Sequence, residues 1–225
     1  MKSNTTPHTM QTIFITGGTG YIGSRLIAAL LQTGDYRIQA LARKGSEHKL
    51  PPGCEVVIGD ALDASSYTSA AHNADVFIHL IGVPHPSPAK VAAFETIDLV
   101  SVQQAARVIH DNRLPHVIYL SVSQYPGRIM KEYRAIRATG EGLLQSTGAR
   151  CSFIRPWYVL GPGHWWPVLL MPLYTLARLL PATREQSRQQ GLVTIKQMIR
   201  TLHFAINHPP ENGVHVYNVP DIKAF

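Results

Sequence analysis

Short runs rich in β-branched and aromatic residues alternate along the chain with stretches whose apolar residues return at helical spacing. The strand-like runs are residues 12–16 (TIFIT), Tyr36–Ala42 (YRIQALA), 55–59 (EVVIG), 75–80 (DVFIHL), 116–121 (HVIYLS) and 151–155 (CSFIR). After the first of them, Tyr21, Ile22, Leu26, Ile27, Leu30 and Leu31 mark one face of a helix. Residues 91–112 carry Val91, Phe94, Leu99, Val102, Ala105, Ala106 and Ile109 on another such face, and 134–147 form a further helix. Strands that alternate with helices pair in parallel and are covered on both faces, so the predicted fold is α/β, a doubly wound parallel sheet. Such sheets bind ligands where the strand order reverses.

Composition narrows the picture without redirecting it. With 225 residues, 45% hydrophobic and 16% charged, one domain over 11–225 is expected, preceded by a frayed polar tail, 1–10, and closed by a short lid segment from about residue 157. The tail lacks the apolar core of a secretory signal. The stretch 165–181 is apolar but is interrupted by Pro167, Pro172 and Arg178 and is too short to span a bilayer, which leaves surface contact open. Formal charge is +7 with eleven histidines uncounted, yet the basic residues are scattered and form no block, which argues against nucleic-acid binding. Part of that charge is expected to serve an anionic cofactor. Cys54 and Cys151 lie far apart and read as free thiols in a reducing cytoplasm. His79, His85 and His164 are spaced too irregularly for a metal site.

The stretch FITGGTGYIGSRL, 14–26, joins the first strand to the first helix through Gly17, Gly18, Gly20 and Gly23. A helix start leaves its first N–H groups without internal partners at the positive end of the dipole, and glycines let an anion approach the main chain. Strand, bare turn and helix together suit a pyrophosphate. The spacing, TGxxGxxG from Thr16, resembles the short-chain dehydrogenase/reductase superfamily, and three further landmarks follow in order. Asp60 in GDALD resembles the acidic residue that contacts the adenine, with Ala61 beside it. The stretch HLIG, 79–82, resembles the segment lining the cofactor. The stretch FIRPWYVLGPG, 153–163, with Pro156, resembles the Arg-Pro and Gly-Pro-Gly segment of extended and atypical members. At the end of the second strand NAD-preferring relatives place an acidic residue. The nearest branch resembles the atypical, NmrA-like group, which includes reductases, complex I accessory subunits and cofactor-sensing regulators.

The resemblance implies a Rossmann fold with Gly17, Gly18, Thr19, Gly20, Tyr21, Ile22 and Gly23 around the pyrophosphate and Leu80, Ile81 and Gly82 along the cofactor. The second strand here runs instead into Arg43 and Lys44, with no carboxylate until Glu47, so NADP is expected over NAD. Active relatives use a tyrosine four residues before a lysine, with a serine holding the substrate oxygen. This chain has no YxxxK; Tyr133 and Arg137 stand in its place, with Ser123 as the serine and Ser121 and Tyr125 nearby. Asp98 occupies a position where the family commonly has an asparagine that supports the site. Trp157, Tyr158, Trp165, Trp166, Leu169, Leu170, Met171 and Tyr174 would wall an apolar pocket. Two functions stay open: an NAD(P)H-dependent reductase of a small apolar carbonyl compound or quinone, and a cofactor-binding sensor or assembly subunit without turnover. Many relatives pair as homodimers through the helices that begin near Val91 and Arg134.

Overall fold

A computed structural model of the chain describes residues 10–84, 87–127, 129–163 and 181–225. Its centre is a parallel sheet built from β1 (Gln11–Thr16), β2 (Tyr36–Ala42), β3 (Glu55–Ile58), β4 (Val76–His79), β5 (His116–Leu120) and β6 (Arg150–Arg155). A parallel pair, β7 (Tyr158–Leu160) and β8 (Leu192–Thr194), stands apart, and β9 (Val214–Asn218) returns to the main sheet. The strand order is β3-β2-β1-β4-β5-β6-β9, with every neighbour parallel. The order therefore reverses between β1 and β4.

Alternate residues of β1 face opposite sides, and each side has its own core. Ile13 and Ile15 pack with Leu26, Ile27 and Leu30 of α1 (Tyr21–Leu31) and with Met198 and Leu202 of α7 (Ile195–Asn207). Phe14 points the other way, its ring stacked 5.4 Å from Phe77 and 5.8 Å from Tyr67. There it meets Val102, Ala105 and Ile109 of α4 (Val100–Asn112) and Leu144 of α5 (Lys131–Gln145). Phe14 is fully buried, and truncating such a side chain to Ala costs about 3–5 kcal/mol.

The doubly wound sheet expected from the pattern is present, and each expected strand falls within a residue of its observed bounds. Three strands were not expected: β7, β8 and β9. The helix read over 91–112 differs in one physical respect. It runs as α3 (Val91–Ala93), a π-helical turn (Phe94–Leu99) and then α4. A π turn accommodates an extra residue and rotates the face that follows. Asp98, four residues after Phe94 and four before Val102, is buried with them, whereas Ile97 is exposed and Leu99, expected on the apolar face, is only half-buried.

Candidate functional site

The β1–α1 turn is shaped by three close approaches. Gly17 adopts φ +81°, and a Cβ there would lie 2.8 Å from the carbonyl carbon of Leu80. Gly20 N donates to Gly17 O at 3.0 Å and closes the turn. A Cβ on Gly23 would overlap Gly17 O, so glycine at 23 lets α1 sit directly over the turn. Gly20 caps α1 with no side-chain hydrogen bond, and the first turn holds no acidic residue. A helix start of this kind leaves its first amides without intrahelical acceptors at the positive end of the dipole, which fits a pyrophosphate.

Beside this turn lies a cavity of about 360 Å³. Its wall includes Gly17, Thr19 and Gly20, then Leu41 and Ala42 at the end of β2 with Arg43 and Ser46 beyond it, the stretch 59–62 after β3, the stretch 80–84 after β4, and Ile97 of the π turn. All of these lie at the carboxyl ends of strands around the β1/β4 reversal, where doubly wound sheets bind ligands. The volume is in the range of small-molecule sites. Asp60 is exposed on the rim, and its Oδ1 accepts from Leu62 N at 2.9 Å. Arg43 is exposed on the same rim.

Of the residues expected to hold a cofactor, the structure brings Gly17, Thr19, Gly20, Arg43, Asp60, Ala61, Leu80, Ile81 and Gly82 to this one cavity. Gly18 points inward, where a Cβ would meet the Ile27 side chain at 2.9 Å, and Gly23 shapes the turn. Tyr21 and Ile22 form the first turn of α1; the Arg25 guanidinium lies 3.9 Å from the Tyr21 ring centroid. Lys44 is exposed beside the rim, and Pro156 is buried after β6, its carbonyl accepting from Ser123 N at 2.9 Å. Sequence reasoning passed over Ser46, Leu62 and Ile97, which lack any motif signal. Among the described residues, Glu47 Oε2 is buried without a hydrogen-bond partner.

The second group centres on Arg137, which α5 directs beneath the cavity floor. Its Nη2 forms an ion pair with Asp98 Oδ1, and its Nη1 donates to Ile81 O (3.0 Å), Leu120 O (3.1 Å) and the Tyr119 hydroxyl (3.3 Å). Asp98 Oδ2 accepts from Val83 N at 3.0 Å. Gly140, one turn along α5, leaves room for the Tyr119 hydroxyl, which a Cβ would approach to 2.7 Å. Burial works against the charge on Arg137, but Tyr133, Tyr119 and Asp98 outweigh it and hold its pKa above the ordinary value. Burial raises the Asp98 carboxyl, while Arg137 and the Val83 amide oppose the rise.

Tyr133 lies one turn before Arg137, its ring centroid 5.2 Å from the guanidinium carbon and 5.0 Å from the Phe94 ring. Ser123 Oγ donates to Gln189 O at 2.9 Å, just beyond β5, where α6 (Pro181–Gln189) ends. Ser121 is buried, and its Oγ has no hydrogen-bond partner among the described residues. Tyr125 is half-buried, its amide 3.4 Å from Ser123 Oγ. His79 is fully enclosed between Thr16 Oγ1 (2.8 Å) and Ser101 Oγ (3.3 Å). Trp157 and Tyr158 meet edge to face at 5.9 Å. The other residues expected to wall an apolar pocket, Trp165, Trp166, Leu169, Leu170, Met171 and Tyr174, lie outside the described residues.

The model of the NAD dependent epimerase/dehydratase family matches residues 13–219. A ceramide reductase of Caulobacter vibrioides (strain NA1000 / CB15N) is 28% identical over 180 residues, 78% of this chain and 55% of that protein. The chain thus spans about half the length of that curated relative. A solved UDP-galactose 4-epimerase superposes with a TM-score of 0.71 at 18% identity, over 95% of this chain and 81% of that one. MoeE5 in complex with UDP-glucose and NAD gives 0.69 at 20% identity, over 94% and 79%. The Bordetella bronchiseptica enzyme WbmH in complex with NAD+ gives 0.68 at 17%, over 93% and 75%. At such identities the structural likeness shows the fold.

Proposed function

The chain belongs to the NAD dependent epimerase/dehydratase family, and on that premise we propose that it is an NAD(P)H-dependent reductase of a carbonyl compound with a largely apolar body. The observation that carries this reading is the cavity itself, which runs from the uncapped start of α1 to the loop after β4, with Arg137 directly beneath that loop and Tyr133 one helical turn away. The likeness to a ceramide reductase supports a lipid-like substrate, and the solved neighbours with bound NAD support the cofactor class. Bound there, NAD(P)H would supply the hydride.

The chain's own residues do the rest in this proposal. The amides of Tyr21 and Ile22 hold the pyrophosphate, Asp60 and Ala61 border the adenine, and Arg43 on the rim takes a 2′-phosphate, which makes NADP(H) the preferred cofactor. Tyr133 gives a proton to the carbonyl oxygen. Arg137 stays charged and stabilises the tyrosinate left behind, but it relays no proton, so water must reprotonate Tyr133. Ser123 orients the substrate oxygen, with the unpartnered Ser121 hydroxyl as a second donor.

One observation favours a second reading, a cofactor-binding protein without turnover: the Arg137 fork is already committed to Asp98, Ile81 and Leu120. Titration with NADPH and NADH, followed by NADPH oxidation in the presence of quinones, enones and long-chain ketones, separates the two. Turnover of any of them that is lost in Tyr133→Phe supports the reductase. Binding with no turnover across all three classes supports the second reading.

A further inference from the structure

The backbone of residues 81–83 forms part of the cavity wall, next to the glycine turn at Ile81. Its order comes from two distant side chains. Ile81 O accepts from Arg137 Nη1, and Val83 N donates to Asp98 Oδ2, each at 3.0 Å. The two side chains are paired with each other, and Gly82 rests on the junction, where a Cβ would overlap Arg137 Nη2. The bond from Arg137 to Leu120 O anchors the assembly on β5. Among the described residues, neither charged side chain belongs to the cavity lining, whereas Ile81, Gly82 and Val83 all do. Side-chain exposure is 3% for Arg137 and 0% for Asp98, so water does not compete for these bonds.

We propose that Asp98 and Arg137 act together as positioning residues, a two-armed clamp that holds residues 81–83 in the conformation a cofactor needs; the proposal rests on reading the cavity as the NAD(P) site. A loop ordered beforehand does not have to lose that freedom on binding, so the clamp sets cofactor affinity without touching the cofactor. It is also self-consistent, because each arm neutralises the charge of the other. Removing one arm strands a buried charge, and removing both does not.

The test uses amide hydrogen exchange at Val83 and the NADPH dissociation constant, both on the full chain. Asp98→Asn keeps the shape but leaves one acceptor oxygen for two donors. It is expected to speed Val83 exchange and weaken NADPH binding, each by roughly tenfold, worth about 1.4 kcal/mol. The double variant Asp98→Leu with Arg137→Met removes both charges, so it is expected to fold and to show at least the same loss. Arg137→Lys, which keeps a charged donor, is expected to bind NADPH more tightly than the double variant. A double variant with parental NADPH affinity, or unchanged Val83 exchange in Asp98→Asn, overturns the clamp and leaves an ordinary structural ion pair. A parent that binds neither NADPH nor NADH refutes the reading of the cavity instead, and Val83 exchange still decides whether the clamp exists.

Discussion

Acidification from about pH 7.5 to about pH 5 is expected to weaken this fold by about 4 kcal/mol through two buried histidines. His79 is fully enclosed, and burial, helped by the nearby charge of Arg137, lowers its pKa to about 3. His116 at the start of β5 is 1% exposed, and burial followed by the charge of Arg150 lowers its pKa to about 4. In the unfolded chain both return to about 6.5. As the pH falls through that value the unfolded state takes up two protons that the folded state refuses, so stability falls with pH. Each histidine contributes a slope approaching 1.4 kcal/mol per pH unit, or about 2 kcal/mol over the interval.

Asp98, raised by burial, acts in the opposite sense, but only as the pH falls toward the range where it gains a proton. The measurement is urea unfolding across the pH interval, for the parent and for His116→Gln. His116 bonds through Nε2 to Ser152 Oγ at 3.0 Å, and its Nδ1 has no partner among the described residues, so glutamine sacrifices little besides the titration. The variant should lose about half of the pH dependence while other charges contribute equally to both proteins. A parent whose stability is flat over this range, or a variant with the parental slope, would refute the argument.

Gly17→Ala forces a side chain into φ +81° against the Leu80 carbonyl, and a loss of about 2 kcal/mol or more in urea unfolding is expected. Gly20→Val should abolish NADPH binding measured by calorimetry, because a branched side chain fills the space facing the α1 amides. If Tyr133 is the proton donor, Tyr133→Phe should cut turnover by roughly 10²-fold while NADPH affinity is unchanged. The parent should prefer NADPH to NADH by about tenfold, or about 1.4 kcal/mol, and Arg43→Ala should erase that preference; equal affinities in the parent would return Arg43 to the solvent.

The sheet was legible because its strands are buried on both faces and therefore read as unbroken apolar runs, such as Ile13 to Ile15 and Val76 to Ile78. The last strand was not. In β9 only Tyr217 is buried; Val214 and Val216 are half-buried and His215 is exposed, so VHVYN shows no unbroken apolar run, as suits the outermost position next to β6. The two short strands β7 and β8 have three residues each and pair only with one another, which is too little pattern for periodicity to detect. The residues around the cavity were legible because glycines at a strand-to-helix turn have few other uses, and the structure gathers Gly17, Gly20, Asp60 and Gly82 there.

The arrangement around Arg137 was harder to foresee, because it depends on how segments far apart in the chain pack together. Helical spacing puts Asp98 on the buried face between Phe94 and Val102, but a carboxylate there shows no partner in the sequence, and Arg137 reads as a poor substitute for a lysine. Asp98 lies in the π turn over Phe94–Leu99, and its carboxylate meets the guanidinium and the Val83 amide. The two departures from the family pattern then become one feature. An acidic residue alone in that interior would be costly, and so would an arginine alone; each is tolerable because the other is there. A single sequence shows both substitutions but not their distance, which the packing of α5 against the turn makes short.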